Sequence, residues 1–258
     1  MHKKGSSQKI ERDAAQTAAI EARQLEQQQY WSTINSGKPN HLPRRDRPLR
    51  LLALDGGGVR GLISLLILDR IMKRLPDPNA KPCDYFDVIG GTSTGGLIAI
   101  MLGRLRMSVQ ECIEAYENLA RRIFQIEVVK TGSRLLKGHI FSGNKLKEAI
   151  QEVVESRKGK TSTKMKDLRE DRDKVEPICR TFVVGTMGIG TTHDAKVFRT
   201  YDNPFQQQSA DNCEIWEAAR ATSCAPMFFP DIQVEGIHYS DGGLGHNNPA
   251  DLVLNEAR

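Results

Sequence analysis

Long apolar runs are missing from this 258-residue chain. No stretch approaches the roughly 18 consecutive apolar residues that a membrane span requires, so a transmembrane protein is excluded. The opening, Met1 to Gln8, leads into Glu, Arg and Gln residues without an apolar segment of signal-peptide type, and export by that route is not expected. Cysteine is sparse and scattered. Cys83, Cys112, Cys179, Cys213 and Cys224 are an odd number with no C-x-x-C pair, which signals neither a disulfide framework nor a zinc knuckle. A reducing, intracellular setting is the expectation. No repeat of 20 to 50 residues is visible, so a solenoid is not indicated.

Charge of one sign is also lacking once it is located. The net charge of +5 resides in residues 1–50, with 10 Lys/Arg and 5 Asp/Glu, whereas residues 51–258 carry 27 of each. A basic leader is weak evidence for a polyanion or a membrane surface and better evidence for a solvated segment. With a neutral body and no recognition motif, no nucleic-acid partner is expected. Segment 130–174, with 13 Lys/Arg against 7 Asp/Glu, could meet anionic headgroups, although a solvated loop accounts for it more simply.

What is present is an α/β pattern. Residues 9–30 show a marginal helical spacing, and 36–48 have three prolines and linker composition, so residues 1–48 read as a basic, partly helical leader and Pro-rich linker. A domain is expected over 49–258. Leu49–Leu54 and Tyr85–Ile89 read as short buried strands, each followed by a glycine turn and a helix, at 61–74 and 97–102. Two such units predict a parallel sheet. Further helices are expected at 108–126, 143–156, 213–221 and 250–258, and strands at 181–184, 196–201 and 237–239. Segment 157–176 is mostly charge. Trp31 and Trp216 read as packing residues.

Gly91-Thr92-Ser93-Thr94-Gly95 is a G-x-S-x-G sequence between a strand and a helix, the setting of a nucleophile elbow. Glycines two residues either side of the serine let strand and helix approach, and Ser93 is left at a helix N-terminus, where amides and dipole favour negative charge. Alone the motif arises by chance in roughly a tenth of chains this long. Asp55-Gly56-Gly57-Gly58-Val59-Arg60-Gly61 follows the first strand. A tight turn explains one glycine but not four in six positions, and successive unobstructed amides suit an oxyanion or phosphate. Arg60 could support that loop or offset charge nearby.

The same run satisfies G-x-G-x-x-G, and a dinucleotide site is its rival reading. That reading demands an acidic residue at the end of the second strand. Here the strand ends in Gly90-Gly91, and Asp84 and Asp87 stand at its beginning. A P-loop lacks its G-K-[ST]. A serine nucleophile needs a base, and none of the six histidines sits in a supporting signature. Asp241, in Ser240-Asp241-Gly242-Gly243, ends an expected strand and can share a sheet edge with the other glycine turns. Taken alone, D-G-G is better explained as an ordinary turn. To take a serine proton, Asp241 must have its pKa raised by burial.

Together, the Asp55–Gly61 run, Gly91–Gly95 and Asp241-Gly242-Gly243 resemble the patatin-like phospholipase family, and Ala219-Arg220-Ala221-Thr222-Ser223 resembles a further family segment. The resemblance implies a three-layer α/β/α fold with a mostly parallel central sheet, patatin-like, whose domain continues past Arg258. It implies a Ser-Asp dyad in which Ser93 attacks an acyl ester and Asp241 takes the proton. Gly56, Gly57 and Gly58 would form the oxyanion hole, supported by Asp55, Arg60, Gly61, Gly91, Gly95, Gly242 and Gly243, with Asn247, Asn248 and Pro249 positioning the last loop. The implied substrates are phospholipids or acylglycerols, without metal or other cofactor; with the cysteine pattern, a cytoplasmic protein is expected, one that could meet its lipid peripherally at a membrane surface. A catalytically silent binding or scaffold module is the alternative, and a dinucleotide-binding enzyme a third.

Overall fold

The computed structural model describes residues 48–77, 79–124, 140–166, 179–187, 194–203 and 212–257. The helix expected over 9–30, Trp31 and all of the expected linker except Pro48 lie outside the described residues.

Strand β1 (Leu51–Leu54) ends where the glycine run begins, and a 3-10 turn at Gly58–Arg60 opens into α1 (Gly61–Met72). Gly61, Leu65, Leu68 and Met72 of α1 are buried, a spacing that lays one stripe of the helix on the core. A single turn, α2 (Pro82–Tyr85), precedes β2 (Val88–Thr92). The sequence places this strand at 85–89, closed by the glycine pair, but β2 takes Gly90 and Gly91 into the sheet. Neighbouring elements come too close there for side chains. A Cβ on Gly90 would stand 2.3 Å from the Phe182 ring, and one on Gly91 2.2 Å from the Gly95 carbonyl oxygen. The aromatic pair Tyr85–Phe86, which suggests an earlier strand, instead packs partly buried against the main core.

Helix α3 (Thr94–Ala99) is buried throughout and runs on into a π-turn at Ile100–Arg104. The amphipathic helices α4 (Val109–Phe124) and α5 (Gly143–Lys158) follow. Helix α5 opens on Ser142, whose hydroxyl accepts from the Lys145 amide, and closes on Gly159 at φ 70°, a polar cap and a left-handed stop. Then come β3 (Arg180–Met187), β4 (Asp194–Arg199), α6 (Ile215–Thr222), β5 (Ile232–Val234), β6 (Ile237–Asp241), the turn α7 (Gly243–His246) and α8 (Ala250–Glu256).

The six strands form one mixed sheet with a parallel centre, β1–β2–β3, to which β4, β6 and β5 add antiparallel pairings. Successive β3 residues face opposite layers. Val183 joins a large core with α1, α3, α4, α5 and α6, while Phe182 and Val184 join a smaller one that Val253 of α8 helps to close. Helices thus cover both faces, the three-layer α/β/α arrangement.

One feature of the register positions the site. Strand β2 pairs with β3 up to Thr92 opposite Val184, and β6 pairs with it from Asp241 opposite Gly185. Because β4 occupies the other edge of β3 along both stretches, β2 and β6 lie end to end on the same edge. One runs parallel to β3 and the other antiparallel, so their C-terminal ends meet.

Candidate active site

Ser93 lies at that meeting point, between the last residue of β2 and the first of α3. Its backbone has φ 55° and ψ −125°, a conformation that costs a non-glycine residue on the order of 1–3 kcal/mol and persists only where surrounding contacts impose it. The contacts are identifiable. The Ser93 amide donates to Thr222 Oγ1 at 2.9 Å, and the Thr222 hydroxyl donates onward to the Val184 carbonyl at 2.6 Å. Behind the turn, Gly95 packs on the end of β1 so tightly that a Cβ would come within 2.1 Å of the Leu54 carbonyl oxygen. The exposed Asp55 contributes its backbone carbonyl to the same contact.

The Ser93 hydroxyl donates to Asp241 Oδ2 at 2.7 Å, while the Gly243 amide donates to Oδ1 at 2.7 Å. The main chain of Asp241 is held on both sides, its amide donating to the Cys224 carbonyl at 3.3 Å and its carbonyl accepting from Thr186 Oγ1 at 3.0 Å. Gly242 allows the loop to turn against the Val184 carbonyl oxygen, 2.3 Å from where a Cβ would sit. Asp241 is only 4% exposed. Burial raises its carboxyl above the ordinary value of 3.8, and the hydrogen bonds from Ser93 and Gly243 offset only part of that rise.

The glycine run reaches the same place through different partners. Gly56 is tied to the loop after β6, its amide donating to the Asn247 carbonyl at 3.1 Å and its carbonyl accepting from Asn247 Nδ2 at 3.2 Å. That amide is therefore engaged within the fold, unlike the expectation that all three glycines face an oxyanion. The amides of Gly57 and Gly58 have no protein acceptor among the described residues. Their carbonyls are fixed, that of Gly57 by the Arg60 amide at 3.2 Å and Nε at 3.3 Å, and that of Gly58 by the Tyr116 hydroxyl at 2.6 Å. Arg60 thus supports the loop. Gly61 seats α1 on α3, where a Cβ would stand 2.5 Å from Thr94. Burial pushes the Tyr116 phenol up, which keeps it a donor.

Gly57, Gly58 and Ser93 open onto a cavity of about 380 Å³ whose walls are mostly apolar, including Leu97, Leu119, Phe141, Leu146, Phe228 and Phe229. That volume falls within the range of small-molecule sites, roughly 300–1,000 Å³. Phe141 stacks on Phe228 with centroids 6.0 Å apart and leans on Phe229 at 5.5 Å. Another cavity, of about 350 Å³ between α4 and α5, is lined by Glu111, Arg157, Arg122 and Glu152 and does not reach Ser93.

The twelve residues assigned to the dyad, the oxyanion hole and their support all lie in or against these three loops. Thr222, Tyr116 and Phe141 are the site residues that sequence reasoning missed. Thr222 stands in the Ala219–Ser223 segment, whose likeness to family members was visible without a role. Trp216 is a partly buried packing residue whose Nε1 donates to Glu214 at 2.6 Å. Among the described residues, no group of three His, Cys, Asp or Glu is placed to hold a metal, and no helix is long and apolar enough to cross a membrane.

The calcium-independent phospholipase A2-gamma of Rattus norvegicus is 32% identical to this chain over 223 residues, covering 84% of the chain and 27% of the relative. The phospholipase A I of Arabidopsis thaliana is 28% identical over 264 residues, covering 81% and 19%. Patatin-like protein 2 of Oryza sativa subsp. indica is 26% identical over 243 residues, covering 85% and 55%. The chain therefore spans about a quarter of the first relative and about a fifth of the second. The family described as patatin-like phospholipase matches residues 52–254, and the chain belongs to it.

Proposed function

We propose that this protein is a lipid acyl hydrolase, carried by residues 49–258, that cleaves fatty-acyl esters of phospholipids or acylglycerols through a Ser93 acyl-enzyme. The observation that carries this reading is the 2.7 Å hydrogen bond to the buried Asp241 carboxylate from Ser93, which stands at the wall of an apolar cavity. Two of the relatives are named as phospholipases, which supports the substrate class.

In the proposed cycle the acyl chain lies in the cavity and the ester carbonyl sits against Ser93. Oγ attacks the carbonyl carbon as its proton passes to Asp241 Oδ2. The raised affinity of that carboxylate for a proton makes the transfer less uphill than it would be to a solvated aspartate. Negative charge develops on the carbonyl oxygen and meets the Gly57 and Gly58 amides, with Gly56 holding the loop. One such donor is worth roughly 3 kcal/mol in comparable sites. Asp241 returns the proton to the departing alcohol oxygen, leaving an ester on Ser93. Water then gives its proton to Asp241, attacks the acyl-enzyme and releases the fatty acid, and Ser93 recovers the proton.

The test is fatty-acid release from a long-chain phospholipid and from a neutral acylglycerol by the wild type beside Ser93→Ala. Release that disappears in the variant supports the reading, and the preferred lipid names the class. Release that survives Ser93→Ala overturns the role of Ser93.

A further inference from the structure

Helix α1 is apolar on two sides. Opposite its buried stripe, Ile63, Leu66, Ile67 and Ile71 are 57%, 50%, 55% and 47% exposed, and Val59 in the preceding turn is 63% exposed. The helical positions recur at spacings of three and four, so they form one continuous face. A helix that is apolar all round is normally buried, and a contiguous exposed apolar face marks a surface that meets a partner.

This face begins at the cavity. Val59 belongs to the cavity wall, as does Phe228, which is 47% exposed beside Met227 at 71%. The rim of the cavity and the α1 face therefore expose the same kind of surface. Basic groups border it: Arg60, Arg70 and Arg74 are exposed, and the acidic side chain of α1, Asp69, is paired with Lys73 at 2.7 Å. Apolar residues edged by arginines compose a helix that lies in a lipid interface, its aliphatic side chains among acyl chains and its cations among headgroups.

We propose that α1 is the docking face for an anionic bilayer surface. Ile63, Leu66, Ile67 and Ile71 enter the acyl region, Arg70 and Arg74 meet headgroup phosphates, and the cavity rim at Val59 and Phe228 is brought against the lipid. The purpose of this docking rests on the acyl-hydrolase reading, but docking is measured without it.

The experiment is cosedimentation with vesicles of phosphatidylcholine alone and of phosphatidylcholine with phosphatidylserine. It compares the wild type, Ser93→Ala, the double variant Ile63→Ser with Ile67→Ser, and the double variant Arg70→Glu with Arg74→Glu. Wild type and Ser93→Ala are expected to bind equally and to prefer the anionic vesicles, with binding weakened by salt. The isoleucine variant is expected to lose about tenfold or more in vesicle affinity. The arginine variant is expected to lose the preference for phosphatidylserine. Both double variants should retain the wild-type melting temperature and the wild-type rate on a monomeric short-chain ester. Binding without any wild-type hydrolysis supports the docking face and sinks the hydrolase reading. Vesicle binding unchanged in the isoleucine variant overturns the docking face, as does a wild-type dimer that this variant converts to monomer without loss of vesicle binding.

Discussion

Asp241 and Glu256 are two carboxylates almost equally withdrawn from water, 4% and 7% exposed, yet the fold drives them in opposite directions. Burial raises Asp241, and only a hydroxyl and one amide oppose it. Burial pushes Glu256 upward too, but Arg199, Tyr201 and Asn203 overcome it and hold that carboxyl below its ordinary value. Arg199 approaches Oε1 of Glu256 at 2.5 Å and Oε2 at 2.8 Å, with the Tyr201 hydroxyl at 2.6 Å. The difference lies in the cation. With one, a buried carboxylate is a strut that fastens α8 to β4; without one, it retains an appetite for a proton and suits a base.

The largest effect should come from removing the proposed base while leaving its surroundings intact. Asp241→Asn is expected to lower kcat by about 10⁴-fold, on the scale seen when a catalytic triad member is lost. Its urea midpoint at neutral pH should match or exceed that of the wild type. An asparagine can still accept from Gly243 and donate to Ser93 without burying a charge.

At Glu256 the comparison should reverse, with stability lost first. Glu256→Ala leaves Arg199 buried without its counter-charge and is expected to cost about 3–5 kcal/mol in urea unfolding. The double variant Glu256→Leu with Arg199→Met should recover much of that loss. A double variant as unstable as Glu256→Ala would break the comparison by showing that packing, rather than the charge pair, fastens α8.

The two groups also impose opposite pH dependences. Asp241 is raised, so the stabilisation from its protonated form is full below the ordinary 3.8 and is lost as pH rises through the folded value. Glu256 is lowered, so its stabilisation is full above the ordinary 4.5 and is lost as pH falls through the folded value. Acid should therefore weaken the wild type less steeply than Asp241→Asn, which keeps the Glu256 contribution alone. Activity on a soluble ester should rise with pH through a midpoint above 3.8, since in the proposed cycle only ionised Asp241 can accept the proton.

The smallest effect sharpens the account of the glycine loop. Tyr116→Phe removes the donor to the Gly58 carbonyl and should raise the barrier by about 1 kcal/mol, read as a several-fold loss in kcat with little change in melting temperature.

Much of this site could be read from the chain because its parts are local. A serine between flanking glycines, a glycine run at a helix start and an Asp-Gly-Gly loop each carry their geometry in a few residues. What joins them is not local. That β6 meets β2 end to end depends on pairing with β3, and no periodicity within Ile237–Asp241 specifies an antiparallel partner. The sequence places the β2 boundary too early because Gly90 and Gly91 have the appearance of a turn, while the reason for them lies across the sheet in Phe182 and in α3. Tyr116 is hidden in the sequence for a related reason, since on α4 it fits the apolar stripe and only its hydroxyl reaches the loop.

The most direct measurement of the central claim is the rate at which a fluorophosphonate labels Ser93, followed by mass spectrometry in the wild type and in Asp241→Asn at the same pH. The account predicts labelling of the wild type at Ser93 and none, or a rate several orders lower, in the variant. Labelling of Ser93 in Asp241→Asn at the wild-type rate would contradict it.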